Sequence, residues 1–158
     1  MSIRIQILDY NYSTTDGANL ISNGSFTSAT DWDEGTGWNI AGGQATHTGG
    51  GAGMSGVLSY TNVTFYAGQS YRIKYKISGR TAGSLVLINH LDGGANGFTQ
   101  QSNGAFSYTW VQGSSNTDKL SLYGSNLFDG NVEYANVYPT SGIDFNKSIL
   151  GELEVTSH

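Results

Sequence analysis

Cysteine is absent from these 158 residues, proline occurs once, and only 12% of residues are Asp, Glu, Lys or Arg. Without cysteine there is no disulfide framework, thiol nucleophile or thiolate metal site. The charged fraction is well below the roughly 25% of ordinary soluble domains, so hydroxyls and amides must make up much of the surface. Cations are scarcest: seven against twelve carboxylates, a net charge of −5. That balance argues against nucleic acid, whose binding depends on Lys and Arg neutralising phosphates. No apolar run approaches the ~20 residues of a membrane span. The first residues are not expected to act as a secretory leader, which needs roughly 7–15 consecutive apolar residues. Instead Ile3, Ile5 and Ile7 alternate with Arg4 and Gln6, the period of a strand. The expectation is a chain made in the cytoplasm and kept whole.

What is present is 23 Gly, ten Tyr and many Ser, Thr and Asn, a composition poor in helix formers. Short apolar segments alternate with turn residues at 8–12-residue spacing, the pattern of an antiparallel β-sandwich. The clearest segment is Tyr71 to Ile77, where Tyr71, Ile73, Tyr75 and Ile77 alternate with Arg72, Lys74 and Lys76. Leu85 to Ile88 is continuously apolar, and Phe106, Tyr108 and Trp110 share a face. Gly42 and Gly43 fit a hairpin turn between Trp38–Ile40 and Gln44–Thr48. Leu20–Ile21 and Val63–Phe65 are shorter apolar segments. Leu120 with Leu122, and Val132 with Tyr134, mark two last core strands. The fold expected is all-β, an antiparallel β-sandwich (jelly roll) of about ten strands, with N- and C-terminal arms.

Few catalytic motifs survive inspection. GAGMSG at 51–56 spells a dinucleotide fingerprint, but the segment after it reads as a strand and the fingerprint requires a helix. No G-x-S-x-G elbow occurs. His47, His90 and His158 lack the spacing of a zinc helix. The chain is expected not to be an enzyme.

The segments NLISNGSF at 19–26, GWNI at 37–40, VTFYAGQSY at 63–71 and FDGNVEYANV at 128–137 together resemble carbohydrate-binding-module-like domains of families 4 and 9. That resemblance implies a galactose-binding-like jelly roll over about residues 19–139, flanked by arms at 1–18 and 140–158. It also implies a look for structural calcium. Relatives carry acidic residues near the NGxF turn and in the last strand, whereas Ser25 stands at the first position and Glu133 at the second. Asp31, Asp33, Asp129 and Glu133 are the candidate ligands, since calcium takes six to eight oxygens; a solvated acidic loop is the other reading.

Flat aromatic faces suit the C–H surfaces of sugars. Trp32, in a polar loop, is the expected exposed platform, with Asn89, His90, Asp92, Asn96 and Gln100 lining a polar cleft or a plain solvated loop. Trp38, Tyr71 and Tyr75 read as core. Ile3, Ile5, Ile7, Phe145, Leu150, Leu153 and Val155 give both arms apolar anchors, either for assembly contacts or for edge strands on the chain's own sandwich. Jelly rolls of this kind occur in phage virion proteins. The first expectation is therefore a non-enzymatic virion component (capsid-decorating, head-fibre or tail), located in the virion and partnered by copies of itself and by neighbouring virion proteins. The alternative is a glycan-binding module for host-surface or polysaccharide sugars.

Overall fold

The computed structural model describes residues 2–13, 16–49, 56–89, 98–140 and 144–156, the side chains of 2–13, 88–89, 125–126 and 144–156 excepted. Ten strands follow in order: β1 (Ser2–Ser13), β2 (Trp32–Glu34), β3 (Trp38–Ala41), β4 (Gln44–Thr48), β5 (Val57–Tyr60), β6 (Ser70–Asn89), β7 (Phe98–Gln100), β8 (Gly104–Val111), β9 (Leu120–Pro139) and β10 (Asp144–Thr156). There is no α-helix among the described residues. Every strand pairing is antiparallel. The chain is an antiparallel β-sandwich.

Two strands differ from the sequence expectation. Tyr71 to Ile77 and Leu85 to Ile88 belong to one strand, β6, and Leu122 and Val132 to another, β9. Each bends midway and serves both layers. In the first layer, residues 70–78 of β6 lie between β8 and residues 131–139 of β9, with β4 and β3 beyond. In the second, residues 84–89 of β6 lie between β7 and residues 120–125 of β9, with β5 and β2 beyond. Strands that switch sheets at a bend make the corners of such sandwiches.

The corner depends on glycine. Gly79 and Gly83 take φ +58° and +66°, and a Cβ on Gly83 would lie 2.2 Å from the Phe128 backbone nitrogen. Arg80 closes the bend by donating Nε and Nη2 to the Gly83 carbonyl at 2.8 and 2.6 Å. Opposite, β9 turns through Leu127 at φ +66°.

One core serves both layers. Tyr71, Ile73, Tyr75 and Ile77 from the first meet Leu58, Leu85, Leu87 and Leu122 from the second in a single buried cluster. The family motif residues act structurally here. Asn19 accepts from the Val137 backbone N–H at 3.1 Å and donates to the Asn136 amide oxygen at 2.9 Å. Phe26 and Trp38 are core residues, and the Trp38 indole donates to the Gly56 carbonyl at 2.8 Å. Leu20–Ile21 forms no strand, and Val63–Phe65 contributes only a bridge from Phe65 to Thr117. Among the described residues, the arms add no edge to the sandwich. β1 and β10 pair with each other in a two-stranded sheet.

Gly83→Ala is expected to destabilise the chain by about 3 kcal/mol, combining positive-φ strain with overpacking against Phe128. The shift in the midpoint of chemical denaturation measures it; a change under about 1 kcal/mol would show that the corner tolerates a side chain.

Candidate functional site

Alternation along β6 sends Tyr71, Ile73, Tyr75 and Ile77 into the core and turns Arg72, Lys74 and Lys76 outward. Register then builds three rows across the outer face of the first layer: Thr109, Arg72 and Tyr138; Ser107, Lys74 and Asn136; Ala105, Lys76 and Tyr134. Tyr134 and Tyr138 are about 13 Å apart along β9, with Asn136 between them. All three are half-buried.

Tyr134 is a correction to the sequence reading, which put it in the core with Val132. Two residues apart in a regular strand, they would share a face. A register irregularity lies opposite Lys76 and Ile77, whose partners on β9 are Tyr134 and Val132. The extra residue, Glu133, leaves Val132 inside and carries Tyr134 outward.

The three cations on this face are held by two carboxylates. Asp16 accepts from Arg72 Nη1 at 2.8 Å and from Lys74 Nζ at 2.6 Å. Glu133 accepts from Lys76 Nζ at 2.6 Å. The hydrogen bond from Lys76 holds the Glu133 carboxyl below the usual carboxylate range, and Glu133 in turn raises the Lys76 ammonium above its usual range. Exposed ion pairs add little stability; here they fix where long side chains lie. Lys74 Nζ, held by Asp16, sits 5.0 Å from the centre of the Tyr138 ring. The face therefore offers two aromatic rings, an amide, hydroxyls and ordered, ion-paired charges with one positive charge in excess.

Behind it the inner face of β8 is packed with rings. Trp110 lies against Phe65 and Tyr71, with centroids 5.7 and 5.5 Å away. Tyr108 stacks on Phe98 at 4.3 Å. Burial pushes the Tyr75 hydroxyl up.

The residues singled out from sequence fall elsewhere. Trp32 is not an exposed platform: it is 5% exposed, packs on Phe26 and Tyr60 with centroids 4.9 and 5.1 Å away, and donates its indole N–H to the Asn23 carbonyl at 3.1 Å. Its polar sequence neighbours concealed this, because the rings covering it come from the preceding turn and from β5. Gln100 is half-buried on β7 and donates to the Tyr108 hydroxyl. His90, Asp92 and Asn96 lie outside the described residues, as do the side chains of Asn89 and of the arm anchors Ile3, Ile5, Ile7, Phe145, Leu150, Leu153 and Val155.

The four candidate calcium ligands are not brought together. Asp31 and Asp33 flank the start of β2, Asp129 accepts from the Thr81 hydroxyl at 2.6 Å, and Glu133 is paired with Lys76. Among the described residues no three His, Asp or Glu side chains assemble into a metal-holding group.

No protein-family model matches the chain, and no curated protein does. Solved structures similar to it include a mannan-binding module from Man5C, at 17% identity and TM-score 0.42, covering 78% of this chain and 96% of that one. The Man5C mannan-binding module in its bound conformation gives 18% and 0.41, covering 78% and 97%. A CBM4 structure gives 15% and 0.38, covering 82% and 99%. The likeness is to carbohydrate-binding modules. It concerns architecture, which the strand order above establishes for this chain independently.

Trp32→Ala is expected to cost about 3–5 kcal/mol of folding stability, the usual penalty for emptying a buried tryptophan site. Urea titration measures it, and an unchanged midpoint would restore the indole to a surface role.

Proposed function

We propose that this chain is a non-catalytic glycan-binding module whose ligand lies across the outer face of the first layer. The observation that carries this reading is the outward pair Tyr134 and Tyr138, set on either side of Asn136 on one strand. A sugar ring presents C–H groups that pack on an aromatic face and hydroxyls that need both donors and acceptors. Tyrosine supplies the first with a polar tip; the asparagine amide supplies the second. A spacing of about 13 Å along the strand suits an oligosaccharide better than a single sugar. Each of the three cations named on the face already holds a carboxylate, two of them sharing Asp16, which favours a glycan recognised by its C–H faces and hydroxyls. A second reading, the virion component, draws on a different observation: the pairing of the two arms outside the sandwich. The two readings are compatible, because a module on a particle surface can also hold a glycan.

Affinity electrophoresis through gels containing mannan, xylan or a mixed-linkage β-glucan tests the first reading. Retardation is expected in at least one gel. Tyr138→Ala and Tyr134→Ala should each weaken binding about tenfold, or ~1.4 kcal/mol, with the denaturation midpoint little changed. Migration unaffected by all three polysaccharides, or tyrosine variants that bind as the parent does, would overturn it.

The ion pair gives a pH dependence. Unperturbed Glu and Lys titrate near ~4.3 and ~10.4. With Glu133 lowered and Lys76 raised, both stay charged between about pH 5 and 9, and the pair is lost only as pH falls through the depressed Glu133 value or rises through the elevated Lys76 value. Affinity for the retarding polysaccharide should be flat across that window; a change above about threefold would mean that another titrating group contacts the ligand.

A further inference from the structure

Among the described residues the first layer ends in β3 and β8, and the second in β2 and β7. Unpaired backbone groups at such edges invite another strand, and natural sheets blunt them with short strands, charges, prolines or bulges. Three of these edges are blunted. β2 and β7 are three residues long, and β2 carries Asp33 and Glu34. β3 is four residues long, and its Ile40 N–H is taken by the Glu34 carboxylate. The fourth edge is not. β8 has eight residues with no charge and no proline, and it pairs with β6 from Gly104 to Val111 without an irregularity.

Just past β8, the Gln112 N–H donates to the Gln69 carbonyl on the β6 side at 2.8 Å. Backbone direction alternates along an antiparallel strand, so Ala105, Ser107, Thr109 and Val111 point their N–H and C=O groups off the sheet. All four residues are exposed, Val111 at 62%. The sequence around them is nearly a palindrome centred on Tyr108. Ser107 and Thr109 are both hydroxylic, Phe106 and Trp110 both aromatic, Ala105 and Val111 both aliphatic. A two-fold contact between identical chains needs a self-complementary patch of this kind.

We infer that β8 pairs antiparallel with β8 of a second copy of this chain, about a two-fold axis at Tyr108. In that register Ala105 of each copy opposes Val111 of the other, and Ser107 opposes Thr109. All four outward-pointing residues are then hydrogen-bonded across the junction, and Phe106 lies opposite Trp110, an aromatic cross-strand pair. Slipping by two residues leaves Ala105 or Val111 without a partner in the strand. Charge does not oppose the contact. Arg72, Lys74 and Lys76 stand one strand in and hold carboxylates; across the junction β6 would lie about 14 Å from its counterpart, beyond the ~8 Å screening length of physiological salt. One strand edge buries less than the about 800 Å² per partner of a stable interface, so the dimer forms reversibly at high protein concentration. This inference does not rest on the glycan-binding reading.

Light scattering across a micromolar to millimolar concentration series tests it. The mass of the parent should rise from the 16.8 kDa of one chain toward twice that value. Val111→Lys, which guards the edge with a charge, and Ser107→Pro, which removes an outward N–H, should both stay at one chain mass. Near-ultraviolet circular dichroism checks that each variant is folded, and Val111→Lys alone decides if Ser107→Pro is not. Register is read by cross-linking, because the chain has no cysteine of its own. In Ala105→Cys/Val111→Cys the two positions are about 20 Å apart within one chain, but about 5.5 Å apart, Cα to Cα, across the junction, within disulfide reach. A glutathione redox buffer should convert this double variant, and not Ala105→Cys alone, to a covalent dimer. A parent that keeps one chain mass throughout, or exceeds two, overturns the inference. So does a Val111→Lys protein that associates as the parent does, or a double variant that cross-links no better than Ala105→Cys.

Discussion

The contact between Gly83 and Phe128 holds the two layers of this protein in their relation. There β6 and β9 pass together from one layer to the other, so close that a Cβ on Gly83 would lie 2.2 Å from the Phe128 nitrogen. Because both strands make the passage side by side, they remain neighbours in each layer. A side chain at Gly83 would push them apart between two pairings, Ala82 with Asp129 and Ser84 with Ser125. The buried cluster inherits its shape from this corner: β6 alone delivers Tyr71, Ile73, Tyr75 and Ile77 to one side of the core and Leu85 and Leu87 to the other.

The candidate site depends on the same pair of strands. The outward row of β6 supplies Arg72, Lys74 and Lys76, and β9 supplies Tyr134, Asn136 and Tyr138 beside them. Glu133, the extra residue of β9, sets which face Tyr134 occupies and also partners Lys76. Asp16 ties the face to the base of the arms through Arg72 and Lys74. The candidate face and the base of the arms therefore meet at one carboxylate.

Much of the fold was legible in the sequence. The alternation from Tyr71 to Ile77 gave both the strand and its inward face. Gly42 and Gly43 announced the hairpin, and both take positive φ, +63° and +79°. The candidate site was less legible. Trp32 sits among Asp31, Asp33 and Glu34 and looked exposed, yet Phe26 and Tyr60 cover it. Tyr134 looked inward by its spacing from Val132, and a single extra residue reversed it. Glycines between Ile77 and Leu85 read as a turn, whereas they bend one continuous strand.

By itself, the sequence determined what depends on neighbours along the chain: the all-β class, the hairpin, the inward row of β6, and the absence of a cysteine framework. These follow from backbone preference and a period of two, which act over a few residues. Tertiary structure alone decided which strands are continuous through a bend, which tryptophan is covered, and which tyrosines come to share a face with Lys74. It also decided that the two ends of the chain pair with each other. Each of these outcomes is set by residues distant in sequence: Phe128 against Gly83, Tyr60 on Trp32, Asp16 between Arg72 and Lys74. A local pattern carries no record of partners that only the closed sandwich brings within contact distance.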